Sequence, residues 1–67
     1  MDVLELKAEI ARKGVKKGYI AEELGISTTS LHNKLCGKRE FKISEAIKLR
    51  EILELSDEAF DRIFFTN

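Results

Sequence analysis

The chain has 67 residues, a single cysteine, and twelve basic side chains balanced by twelve acidic ones. That length holds one small domain near the lower limit for folding without staples, and one thiol with no Cys/His cluster excludes an internal disulfide and a structural metal. No apolar run approaches the ~18–20 residues that span a bilayer and no signal-peptide pattern opens the chain, so a membrane partner is not expected and a cytoplasmic location follows by default.

The first predicted helix runs from Asp2 to Lys13. Asp2 can cap it, and Glu5 three residues on completes a capping-box pattern. Val3, Leu6 and Ile10 recur at helical spacing as an inward stripe, with Leu4, Ala8 and Ala11 beside it. Gly14 ends the helix, and Val15 returns toward the core.

The second helix, about Lys17 to Leu24, starts poorly. Lys16 is a weak N-cap, and Gly18 in the first turn costs roughly 0.5–1 kcal/mol relative to Ala. Amide groups left open beside Lys16 and Lys17 would make a phosphate clamp; the alternative is that water satisfies them. Gly25 then marks a tight turn, with the small Ala21 four residues before it. Two helices joined by such a turn form a helix-turn-helix, whose second member can enter a DNA major groove. Ile20, Leu24, Ile26 and Leu31 would lock the crossing.

The third helix follows Ser27, a good N-cap, and runs to about Cys36, where Gly37 ends it. At about 100° per residue, Thr28, Thr29, His32, Asn33 and Cys36 share one face, while Leu31 and Leu35 point inward. A helix face kept merely wettable would carry Glu, Lys and Gln, which are stronger helix formers than Thr, Ser, Asn and His. The run Thr-Thr-Ser-x-His-Asn therefore points to base reading. Asn33 can bond adenine, threonine hydroxyls and methyls suit base edges, and His32 offers a further groove-facing hydrogen bond. The alternative is an ordinary capped helix start.

Between Arg12 and Lys42 lie eight basic residues (Arg12, Lys13, Lys16, Lys17, Lys34, Lys38, Arg39, Lys42) and three acids (Glu22, Glu23, Glu40), a local surplus of five that the two ends cancel. This block coincides with the helix-turn-helix and its flanks, so one face is expected to be positive. The alternative is an ordinary solvated surface. Lys16, Lys17, Ser27, Ser30, Lys38, Arg39 and Lys42 are the candidate phosphate contacts.

After the basic loop Cys36–Phe41, in which Phe41 plugs the base of the third helix, a fourth helix is expected over Ile43 to Leu53. It should bury Ile43, Ala46, Ile47 and Leu53, with Lys42 at its start and Ser44 as an alternative cap. Ser56 caps a last helix whose first turn holds Asp57 and Glu58, well placed against the helix dipole. Phe60, Ile63, Phe64 and Phe65 give an apolar end larger than core closure needs. Homodimerisation through Phe60, Phe64 and Phe65 is therefore expected.

Ala21, Gly25, Ile26, Leu31 and Gly37-Lys38 resemble the helix-turn-helix core of the phage repressor and Cro (XRE-type) family of small transcription regulators. Ile43, Ala46, Ile47, Leu49, Leu53 and Leu55-Ser56 match that family's later spacing, so the resemblance covers nearly the whole chain. It implies an all-α, compact five-helix, lambda-repressor-like domain over residues 1–67. It also implies that Thr28, Thr29 and Asn33 read bases, that Lys17 touches phosphate at the start of the second helix, and that Lys38 and Arg39 grip the backbone. Family members often pair an Arg in the first helix with a Glu late in the third. Ile10 and Leu35 stand there instead, so an apolar contact is expected in place of the ion pair. Charged Lys34 stands where an apolar residue is common.

The expected function is a sequence-specific regulator of transcription, reading a double-stranded DNA operator as a dimer, with no cofactor and no small-molecule substrate. Met1 and the short tail suggest a complete regulator. His32 and Cys36 are four apart on one face and could supply two metal ligands, but a metal site needs three or four. A Cys–His nucleophile would lack an orienting group and a pocket, so no enzyme is expected. A different class of function is an antirepressor or adaptor that docks through the apolar C-terminus; the zero net charge and Glu22-Glu23 favour it.

Overall fold

Five helices follow one another along residues 1–65, which are the residues that the structure, a computed structural model, describes: α1 (Val3–Lys13), α2 (Lys17–Leu24), α3 (Thr28–Leu35), α4 (Ile43–Leu53) and α5 (Asp57–Phe64). Their ends are set by local chemistry. Asp2 Oδ1 accepts the Glu5 amide at 3.0 Å, Ser27 Oγ that of Ser30 at 3.1 Å, and Ser56 Oγ that of Ala59 at 3.1 Å. Each bond satisfies one of the amide donors a helix start leaves open. Gly25 closes α2 in the left-handed region (φ 70°), donating to Ala21 and Glu22 carbonyls. α4 instead ends on Glu54 at φ 51°, the one left-handed non-glycine residue among those described.

Each helix sends at least one large side chain into a common core. Leu6, Ile20, Leu31, Leu35, Leu49, Leu53 and Ile63 are fully buried, and each contributes about 1.5–3 kcal/mol through apolar burial. Val15, Leu24, Ile26, Phe41, Phe60 and Phe64 pack around them, half-buried. The close helix pairs are α2 with α3 and α4, and α1 with α3, α4 and α5. Ala21, nearly fully buried, is the small residue that lets α3 lie near α2. Ile10 and Leu35 both belong to this core, where an apolar contact was expected.

Three expectations change. The α1 capping box stays open, because the Asp2 amide donates to the Ile63 carbonyl at 2.7 Å and the Glu5 carboxylate turns to Arg62 at 3.6 Å. Leu4 and Ala11, expected to flank the inward stripe, are exposed instead, Leu4 by 74%. On α4 Lys42 holds the cap position as expected, but the buried face is Glu45, Ala46, Leu49 and Leu53. Ile43 (81%) and Ile47 (50%) are exposed instead. Two positions along a helix are about 200° apart, so Leu49 facing the core directs Ile47 away from it.

Candidate nucleic-acid interface

The α2–α3 turn is held by its own backbone. Gly25 reverses the chain, and the Ile26 amide donates to the Ala21 carbonyl at 3.0 Å. From that turn α3 rises with Leu31, Lys34 and Leu35 buried, and these three inward residues set the rotation of the helix. Thr28, Thr29, His32 and Cys36 face solvent as a ridge, while Asn33 and Ser30 are half-buried. Asn33 is thus less open than its place on the expected face implies. Its backbone carbonyl accepts the Lys38 amide at 2.9 Å, which helps to close the end of α3. At that end the Cys36 thiol lies 3.4 Å from His32 Nε2.

The two serines are engaged. Ser27 Oγ receives the Ser30 amide and donates to Ser30 Oγ at 3.1 Å, leaving the Ser30 hydroxyl proton free for an outside acceptor. α2 starts without any such cap: Lys16 makes no side-chain bond to it, so the opening amides beside Lys16 and Lys17 are unclaimed by a side chain.

Two members of the expected basic block are spoken for. Arg12 pairs with Glu9 within α1, and Lys34 is buried against Glu45 at 2.5 Å. Lys34 therefore adds no charge to the surface. Lys48 turns to Glu23 at 3.8 Å, and Arg50 pairs with Asp57. Lys16 and Lys17 before and at the start of α2, Lys38 and Arg39 after α3, and Lys42 before α4 are all exposed and form no ion pair among the described residues. Lys7 shares with Lys17 a groove lined by Ile10, Ala11 and Val15.

The Lys34–Glu45 pair was not legible as a pair in the sequence. Its signal was an ammonium three residues after Leu31 on the inward stripe, and an acid three residues after the α4 cap. Glu45 Oε1 also accepts the Lys42 amide at 2.8 Å, and the Lys34 ammonium lies 5.8 Å from the centre of the Phe41 ring. Burial pushes the Glu45 carboxyl up; the bonds from Lys34 and the Lys42 amide, with the charges of both lysines, outweigh it and hold the group below the ordinary glutamate value.

Opposite chemistry gathers where α4 begins and α5 ends. Exposed Ile43, Met1 and Phe65 (73%) line a shallow apolar groove together with half-buried Phe60 and Phe64. Phe60 stacks tilted on Phe64 at 5.0 Å and edge-on to Phe65 at 5.7 Å. Of the three residues expected to form a dimer contact, Phe60 and Phe64 belong partly to the core, and Phe65 is the open one. No group of three or more metal-ligating side chains occurs among the described residues, and no helix of theirs is long and apolar enough to cross a membrane.

No family model, characterised protein or solved structure matches this chain.

Proposed function

We propose that the protein is a cytoplasmic, helix-turn-helix regulator that reads double-stranded DNA with α3 and acts as a homodimer, without cofactor or small-molecule substrate. The observation that carries this reading is the ridge of Thr28, Thr29 and His32, short hydrogen-bonding side chains exposed on a helix whose inward face is anchored by Leu31 and Leu35. Such side chains suit base edges in a major groove. Unpaired bases stand before and behind that helix: Lys16 and Lys17 on one side, Lys38, Arg39 and Lys42 on the other. They suit phosphates, with Ser27 and Ser30 at the helix start offering hydroxyl contacts and Asn33 a partial base contact.

A single eight-residue helix contacts few base pairs. A dimer reading two half-sites about one helical turn apart supplies the remaining specificity. The apolar surface of Ile43, Phe65 and the edges of Phe60 and Phe64 is the face assigned to that contact. Selection of bound sites from random duplexes, at stated salt, tests the reading: an enriched palindromic or repeated half-site supports it, and indifference to every duplex ends it.

The second reading, an adaptor docking through the same apolar face, is favoured by the extra exposure of Ile43 and Ile47. Under it the selection returns nothing, and substitutions on the α3 ridge leave partner binding unchanged.

A further inference from the structure

One carboxylate oxygen receives a donor from each side of the basic loop. Lys34 on α3 reaches Glu45 Oε1 at 2.5 Å, and the Lys42 amide, which opens α4, reaches the same atom at 2.8 Å. Between these two donors lie Lys38 and Arg39, with Phe41 lying under the Lys34 ammonium at 5.8 Å. α3 packs closely on α1 and α2, whereas α3 and α4 are not a close pair. Beyond the shared apolar core, the Lys34–Glu45 pair ties α3 directly to α4, and it is nearly fully buried at both partners.

We infer that Glu45 is a positioning residue for the proposed DNA interface: through Lys34 it fixes the seating of α3, and through the Lys42 amide it fixes the course of the loop that carries Lys38 and Arg39. It touches no base or phosphate itself. The inference rests on the DNA reading above and adds to it the device that holds the base-reading ridge and the phosphate-gripping loop in one register. Replacing a buried ion pair by side chains of similar volume is often neutral or stabilising for the fold. A pair kept for geometry can therefore be separated from one kept for stability.

The variant that separates them is Lys34→Met with Glu45→Gln. It removes both charges and keeps the volume, and the neutral amide oxygen of Gln accepts the Lys42 N–H more weakly than the carboxylate it replaces. Glu45→Gln alone leaves a buried ammonium unpaired and risks the fold, so the double variant carries the test, with helical content and melting temperature as controls.

Two readouts follow. In the free protein, amide exchange at Lys38 is expected to quicken at least tenfold in the double variant, while exchange at Leu31 in the core stays near wild type. With DNA, the preference for the selected site over random duplex is expected to fall at least tenfold, while the salt slope shifts by less than one unit because no phosphate-contacting base is lost. A folded double variant with wild-type exchange and wild-type preference overturns the inference and leaves the DNA reading standing. A wild type that prefers no duplex overturns the DNA reading itself, and with it the role of Glu45, whatever the exchange rates.

Discussion

The backbone amide of Asp2 and the carbonyl of Ile63 meet at 2.7 Å, joining the residue ahead of α1 to the last turn of α5. Ile63 is at the same time fully buried, so one residue both fills the core and ties the start of α1 to α5. Arg62, one position earlier, reaches Glu5 across the same seam at 3.6 Å.

Ile63→Ala is accordingly expected to cost about 2–5 kcal/mol, the range for emptying a buried isoleucine site. In a domain this small that is a large share of the total. Urea unfolding followed by circular dichroism measures it; a loss under 1 kcal/mol would mean that α5 is not part of the cooperative unit.

Glu54 gives the opposite sign. It holds a left-handed conformation (φ 51°) at the end of α4 while donating its amide to the Arg50 and Glu51 carbonyls. A side chain in that region is strained by about 1–2 kcal/mol, part of which glycine gives back through the entropy of the unfolded chain. Glu54→Gly is expected to stabilise by about 1 kcal/mol and to raise the melting temperature by about 4–8 °C. An unchanged or lower melting temperature would contradict it.

The Glu45 carboxyl titrates lower in the folded protein than in the unfolded chain, despite its burial, because Lys34 and the Lys42 amide hold it charged. Its contribution to stability is therefore complete above the ordinary glutamate range of the unfolded chain and is lost as pH falls through the lower folded value. Subtracting the unfolding free energy of the Lys34→Met, Glu45→Gln variant from that of wild type should leave a flat line at neutral pH that bends downward in acid. A difference that stays flat through the acid range would show that Glu45 is not held ionised by these partners.

Within the DNA reading, Lys38→Ala and Thr29→Ala should part company. Losing the exposed lysine should weaken binding to all duplexes alike and flatten the salt slope by about one unit; losing the threonine should relax preference at one or two base pairs. Titration at three salt concentrations against the selected site and a scrambled one checks both. Equal effects on slope and preference would refute this division of labour.

The apolar face makes its own prediction. Phe64 is half-buried among core side chains, so a charge there would disturb folding as well as association. Phe65 and Ile43 are the open positions. Phe65→Glu with Ile43→Glu should leave the melt of the monomer unchanged and abolish the dimer in sedimentation at micromolar concentration. A wild type already monomeric there refutes the dimer.

The caps at Asp2, Ser27 and Ser56 and the turn at Gly25 were legible in sequence because their chemistry is local: a hydroxyl or carboxylate reaches an amide three residues on, and a glycine supplies φ > 0. The α4 face was misread because that helix has apolar residues on two sides. Periodicity alone does not say whether the Leu49–Leu53 stripe or the Ile43–Ile47 stripe meets the core. The closed pair of Lys34 and Glu45 was out of reach for a different reason. Its partners stand eleven residues apart across a loop, and no pattern in either helix records that they meet. Asn33 was read as fully outward from helical phase, and is half-buried because α3 turns its neighbour Lys34 inward.

Cys36 is the chain's only thiol and it is exposed beside His32 on the α3 ridge. The native sequence thus carries its own footprinting handle. A maleimide dye would label this one position without any engineered residue, and the pace of labelling would report, second by second, how much of the ridge a bound partner covers.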